Sequence, residues 1–360
     1  MAPASLANSD LKWETATQTN IGLDLGMLNN SLTFSANYYI KQTADMLVQV
    51  PIPQTSGITT LPFVNAGAME NRGIELELGY RKTTTGGLSY EVSANMATVE
   101  NKVVSLGKGA QIFSGTFQAA TNGRGGQNVT ITRPGDPVGS FYGYVMDGIF
   151  QNQAQIAESA TQSTATRPGD IRFKDLNGDK KIDALDRTII GSPIPALTFG
   201  ANARVSFRGF DLGVFFQGVQ GNELYNGTRT IIAGMFPVYN QTVETLGRWR
   251  GEGTSNSVPR AVQLDAAENG RVSTRWIEDG SYLRLKNLTL GYAIPDKLTG
   301  RIGMKNARLY ASGTNLLTFT NYTGLDPEIG ERSQNALFSG IDQSVYPVTR
   351  TVTVGVTIGF

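Results

Sequence analysis

The last ten residues, TVTVGVTIGF, alternate without a break. Val352, Val354, Val356, Ile358 and Phe360 fall on one face, and Thr351, Thr353, Gly355, Thr357 and Gly359 on the other. A strict period of two predicts a β-strand with one apolar and one small-polar face. Strands of soluble sandwiches run to about five or six residues. The length here points instead to a strand that crosses a bilayer.

The same alternation recurs upstream. Ile21, Leu23, Leu25 and Met27 interleave with Asn20, Gly22, Asp24 and Gly26. After Asn29-Asn30, the residues Leu32, Phe34, Ala36, Tyr38 and Ile40 interleave with Thr33, Ser35, Asn37, Tyr39 and Lys41. Two long strands around an Asn-Asn turn predict a hairpin. A second hairpin is predicted around Gly86-Gly87, with Ile74, Leu76, Leu78 and Tyr80 before the turn and Tyr90, Val92, Ala94 and Met96 after it. Its other face carries Glu75, Glu77, Arg81, Glu91, Ser93 and Asn95, which suits a wet lumen better than a dry core. Leu197–Phe207 alternates at odd positions and Phe210–Phe216 at even ones, around Arg208-Gly209. Ser281–Ile294 changes parity between Leu285 and Leu288, which predicts a β-bulge. Ala307, Leu309 and Ala311 open a further strand, giving about ten in all.

The links are uneven. Short turns alternate with long segments, Leu47–Ala68 and Gly221–Gly280, read as polar loops, and Thr116–Gly126 is expected to be a mobile loop. Short turns at one end and long loops at the other is the layout of an outer-membrane barrel. A sandwich rarely needs an excursion as long as Gly221–Gly280. The fold class expected is therefore all-β, an antiparallel transmembrane β-barrel. No run of apolar residues is long enough for a transmembrane helix, which is no argument against a barrel. The first ten residues, MAPASLANSD, have neither the basic nor the apolar region of a signal peptide.

Composition narrows the function. Lys plus Arg is 31 and Asp plus Glu is 30, a net charge of +1, whereas a nucleic-acid binder needs a basic excess. There is no Cys and no His, which removes disulfides, thiolate metal sites, cysteine nucleophiles and the usual general base. No catalytic residues are expected. Glu75 and Glu77 share one strand face, whereas the acid pair of a glycosidase normally comes from separate strands or loops. Gly123–Gly126 lacks the Lys-Ser/Thr of a phosphate-binding loop. Phe141, Tyr142, Tyr144 and Phe150 read as an aromatic girdle, with stacking on sugar rings as the other use of such residues.

One local motif carries ligand chemistry. In DLNGDKKIDALD, Asp175, Asn177, Asp179, Asp183 and Asp186 stand at offsets 1, 3, 5, 9 and 12, with the carbonyl of Lys181 at offset 7. That spacing predicts an EF-hand-like calcium loop over residues 175–186 with a structural role. The sixth position is Lys180 where glycine is expected, and the last acid is Asp where Glu is usual.

Several longer stretches resemble the late barrel of SusC/RagA-type TonB-linked outer-membrane proteins of Bacteroidetes. They are LKWETATQTNIGLDLG (Leu11–Gly26), NAGAMENRGIELELGY (Asn65–Tyr80), GDIRFKDLNGDKKIDALDRTIIGSPIPALTFG (Gly169–Gly200), SYLRLKNLTLGYAIP (Ser281–Pro295) and RLYASGTNLLTFTNYTGLDPEIG (Arg308–Gly330), with the closing Phe360. The resemblance implies a plugged barrel of about 22 strands, of which residues 1–360 would be a C-terminal segment of about ten, without signal peptide, plug or early strands. It further implies import of glycans, oligosaccharides or peptides under a SusD-like surface lipoprotein. The energy would come from TonB through the missing N-terminal part, and outer-membrane lipid would surround the wall. The other class kept open is a soluble β-rich carbohydrate-binding protein with a calcium-stiffened loop. The two differ in one observable: the apolar strand face points outward in a membrane barrel and is buried in a soluble sandwich.

Overall fold

The computed structural model describes residues 8–49, 63–107, 111–117, 127–235, 239–300, 303–329 and 335–360. The strands in chain order begin with β1 (Thr15–Met27), β2 (Leu32–Gln49), β3 (Phe63–Thr83), β4 (Ser89–Thr98) and β5 (Glu100–Leu106). A first excursion carries β6 (Ile112–Phe117), β7 (Gln127–Thr132), β8 (Ser140–Gly143), β9 (Met146–Ile149), β10 (Ile171–Phe173) and β11 (Thr188–Gly191). Then come β12 (Leu197–Phe207) and β13 (Phe210–Gln220), and a second excursion with β14 (Glu223–Asn226) and β15 (Ile277–Asp279). β16 (Tyr282–Ala293) and β17 (Asn306–Thr320) follow, then a third excursion with β18 (Ile341–Asp342), and finally β19 (Thr351–Gly359).

The wall is one antiparallel sheet in the order β1-β2-β3-β4-β12-β13-β16-β17-β19, with β5 carrying β4 onward along β3. Its faces follow from register. Met27, Leu32, Tyr80, Val92, Ala203, Val214, Leu288, Gly313 and Val352 form a single row from edge to edge. The adjoining row is Gly26, Thr33, Gly79, Ser93, Asn202, Phe215, Asn287, Thr314 and Thr351. Apart from Phe215 the second row is small or polar. A slip of one residue in any strand would exchange the two faces, so the alternation itself holds the register.

The turns are those the sequence predicts. Arg208-Gly209 is a two-residue turn with φ of 49° and 87°, the doubly positive backbone that suits a right-twisted hairpin. Leu28, Asn29 and Asn30 all take positive φ between β1 and β2. The predicted bulge is present: the β13–β16 and β16–β17 registers both shift between Leu285 and Asn287, so Lys286 is the extra residue. β1 and β19 lie at opposite edges and do not pair among the described residues, so the sheet is an open arc of wall.

Two expectations are corrected. Leu47–Ala68 is not a bare loop, because β2 runs on to Gln49 and β3 starts at Phe63; positions 50–62 lie outside the described residues. β3 has 21 residues, about 70 Å at ~3.3 Å per residue, far more than a bilayer needs. Its first half stands in water on both faces, which is why no alternation marks it. Of Thr116–Gly126, Thr116 and Phe117 end β6 and the rest lies outside the described residues.

The second correction concerns the long excursions, which fold together into a cap. β6-β7-β8-β11 form one small sheet, β9-β10 another and β15-β14-β18 a third. Their core is Val129, Phe141, Tyr225, Val272, Trp276 and Ile341, drawn from all three excursions. Ile171, Phe173 and Ile182 make a second cluster. The excursions are also stitched by polar contacts: Thr130 Oγ1 donates to the Leu337 carbonyl at 2.9 Å, and the Val272 N–H to Gln127 Oε1 at 3.0 Å. Apolar residues scattered over three distant segments give no periodic signal in any one of them.

Candidate functional site

Three surfaces meet at the site: the outer wall, the lumen wall and the cap. On the outer wall Ile21, Leu23, Leu78, Val92, Leu290 and Leu309 are exposed, and Val354 is 80% exposed. A water-soluble sandwich would bury this face, because each such side chain contributes about 1.5–3 kcal/mol on leaving water. A contiguous apolar belt across every wall strand has hydrocarbon as its solvent.

The lumen wall is polar and grooved. Ser35, Asn37, Glu75, Glu77, Asn95 and Thr198 surround a space of about 270 Å³. Glu75 and Glu77 thus sit on the solvated wall among amides and hydroxyls. Nearer the short turns, Asn202, Arg204, Asp211, Phe215, Asn287, Thr289 and Arg308 line a second space of about 370 Å³. There Arg308 forks onto Asp211, with Nε donating to Oδ1 at 3.0 Å and Nη2 to Oδ2 at 2.6 Å. This inner face offers hydrogen-bonding and charged groups to whatever fills or passes through the lumen.

The cap is fastened to the wall by a buried ionic cluster. Arg284 of β16 is 1% exposed. It donates from Nε to Thr318 Oγ1 at 2.9 Å, from Nη1 to Glu328 Oε2 at 2.7 Å and from Nη2 to Asp326 Oδ1 at 2.7 Å. The bulged residue Lys286 adds a 3.0 Å contact to Glu328. Asp326 also accepts from the Glu328 and Val348 N–H groups. Burial pushes the Asp326 carboxyl up, but those N–H donors and Arg284 outweigh it and hold it below the usual carboxylate range. A second cluster lies within the cap, where Arg229 binds Glu244 through two nitrogens and reaches Glu278 at 3.2 Å. Glu278 in turn accepts from the Thr323 N–H, joining the second and third excursions. Burial alone would raise Glu244; Arg229 reverses the sign and leaves it low. Sequence reasoning missed Arg284, Asp326 and Glu328. Their one signal was a cation on the lumen parity of β16.

The residues proposed for calcium are placed differently from a chelate. Asp175 accepts the Gly178 and Lys180 N–H groups at 2.7 and 2.9 Å, and Asn177 Oδ1 accepts the Asp179 N–H at 3.0 Å. Asp179 accepts the Lys181 N–H, and Asp183 caps the Leu185 N–H. Asp186, fully buried, accepts the Leu176 and Asp183 N–H groups. The loop closes on its own amides, and among the described residues no three acidic side chains are gathered around one point that could hold a cation. The aromatic reading is corrected outright. Phe141 and Phe150 are buried in the cap, Tyr142 lies under Arg187 at 4.4 Å, and Tyr144 packs on Phe173. They form neither a membrane girdle nor a sugar platform.

Wall, lumen face and cap together define the class: an arc of an outer-membrane β-barrel, apolar toward lipid, polar toward its channel and capped at the long-loop end. Residues 2–316 match the family described as TonB dependent receptor-like, beta-barrel, and the chain belongs to that family. It is 37% identical over 98% of its length to TonB-dependent receptor P3 of Formosa agariphila, covering 35% of that protein. It is 28% identical to TonB-dependent receptor SusC of Bacteroides thetaiotaomicron, again over 98% of the chain and 32% of SusC. Among solved structures, the RagAB peptide transporter matches with a TM-score of 0.77 at 26% identity, over 99% of this chain and 36% of the other. The chain spans about a third of the length of the relatives it matches. The exposed apolar face and the family together set aside the soluble-sandwich alternative.

Proposed function

We propose that this chain supplies the late wall and outer cap of an outer-membrane importer that takes up glycans, oligosaccharides or peptides. Passage is by binding and gating, without covalent chemistry. A SusD-like lipoprotein would sit over the cap, and energy would come from TonB through parts of the polypeptide beyond this segment. The observation that carries the reading is the division of faces: every wall strand turns its apolar side outward and its amide, hydroxyl and charged side to the lumen. The likeness to SusC and to the RagAB peptide transporter supports the two substrate classes.

The calcium expectation enters in a restricted form. An ion at Asp175–Asp186 would have to displace the backbone N–H groups of Gly178, Lys180, Lys181 and Leu185 from their carboxylate partners. The arrangement favours the self-capped turn.

The test is expression with an added export signal, followed by membrane fractionation and gel migration with and without heating. Recovery in outer membranes with a heat-dependent shift supports the reading. A monodisperse product in detergent-free buffer overturns it.

A further inference from the structure

The sheet carries a groove on its outer face, at the end from which the long excursions leave. Long loops mark the extracellular side of an outer-membrane barrel, so the groove lies at the extracellular rim. Its floor is one register row, Phe199, Gly218, Leu283 and Phe319. Gly218 makes the floor possible: a Cβ there would stand 2.4 Å from Phe199 Cζ, so the ring lies across the glycine. Phe319, 58% exposed, forms one side. Toward the cap the lining turns polar, with Gln220, Ser281, Asn321 and Asp279, and the space enclosed is about 670 Å³. Asp279 is its single charged group, and no Lys or Arg lines it. Asp279 is held in place by the Ser281 N–H, which donates to Oδ1 at 2.9 Å.

The apolar floor is continuous with the belt below it, through Ala201, Phe216, Leu285 and Leu317 in the next outer row. That belt faces the bilayer, so the occupant that reaches the groove first is a lipid. The rim decides which one. An unpaired carboxylate among neutral hydrogen-bonding groups repels an anionic headgroup and attracts an ammonium. We propose that this groove seats one acyl lipid with a primary-amine headgroup, its chain on Phe199, Leu283 and Phe319 and its ammonium at Asp279. The proposal rests on the barrel reading and adds a site to it. Lipid held at this point packs directly beneath the β15–β16 junction and so braces the cap against the wall.

The experiment uses the full-length receptor that carries this segment, purified in mild detergent and mixed with phosphatidylethanolamine or phosphatidylglycerol, with bound lipid counted by native mass spectrometry. Phosphatidylethanolamine is expected to give a one-lipid adduct about threefold more abundant than phosphatidylglycerol, the scale of a single exposed ion pair. Asp279→Asn, which keeps an acceptor for the Ser281 N–H, is expected to remove that preference. Phe319→Ala is expected to weaken both adducts, and Val354→Ala on β19 to change neither. Equal adducts in the unmodified receptor, or a preference that survives Asp279→Asn, overturn the proposal. Loss of heat-dependent migration would instead overturn the barrel reading, so the two failures are separable.

Discussion

Replacing Arg284 by Met should free the third excursion from the wall while leaving the wall itself intact. Arg284 is buried and its guanidinium binds Thr318, Asp326 and Glu328. Removing one partner of a buried pair costs about 3–5 kcal/mol, because the other charge stays behind without compensation. Asp326 keeps the N–H groups of Glu328 and Val348, and Glu328 keeps Lys286. The lower end of that range therefore applies, about 3 kcal/mol, which is about a hundredfold in the opening equilibrium. Met preserves the length of the side chain, so the loss is of charge and hydrogen bonds rather than of volume. The assay is amide hydrogen exchange across residues 321–329, read by mass spectrometry in the full-length receptor, with heat-modifiable migration as the control for the wall. Exchange should speed up by about two orders of magnitude, with migration unchanged. Arg284→Lys keeps the charge but not the fork and should fall between the two. Exchange within a factor of two of the unmodified protein would refute the idea that this cluster fastens the cap.

Acid should loosen the cap for a related reason. Glu244 and Asp326 both have folded values below their unfolded ones, so their stabilisation is complete above the ordinary carboxylate range and is lost as pH falls through the lowered values. Fluorescence of Trp276, buried in the cap core, should be flat from about pH 8 to 5 and change below about pH 4; a change centred near neutrality would contradict this. Phe141→Ala should cost the cap about 3–5 kcal/mol, seen as faster proteolysis of the excursions, since the ring is fully buried among Val129, Tyr225 and Trp276. Leu78→Arg on the lipid face should reduce membrane assembly by about 2–4 kcal/mol, whereas Ser93→Arg on the lumen face should assemble normally; equal yields would count against the assignment of faces. Millimolar Ca²⁺ should leave the cap's thermal midpoint unchanged if Asp175–Asp186 is self-capped, and a rise would restore the calcium site.

The wall was legible because its physics is local. Each strand meets one solvent on each side, so alternation appears in Leu197–Phe207 or Thr351–Phe360 without knowledge of any neighbour. The parity change around Lys286 was readable for the same reason. The cap was not. Val129, Tyr225, Val272 and Ile341 become one core only after three excursions meet, and no window of sequence contains that encounter. The Arg284 cluster fails in the same way, since its acids lie some forty residues away in a segment without periodicity. The Asp-rich loop shows the opposite error. Its spacing fits calcium, but short Asp and Asn side chains reach their own backbone N–H groups as readily as they reach an ion.

The central claim is that the apolar strand face looks into lipid, and the chain's lack of cysteine allows a direct test. Single cysteines at Leu23, Leu78, Leu290 and Val354, and at Glu77, Asn95, Thr289 and Thr353, would carry a fluorescent label in the full-length receptor reconstituted with brominated lipids. The account predicts strong quenching at the first four positions and little at the second four. Uniform quenching, or quenching that fails to alternate along a strand, would contradict it.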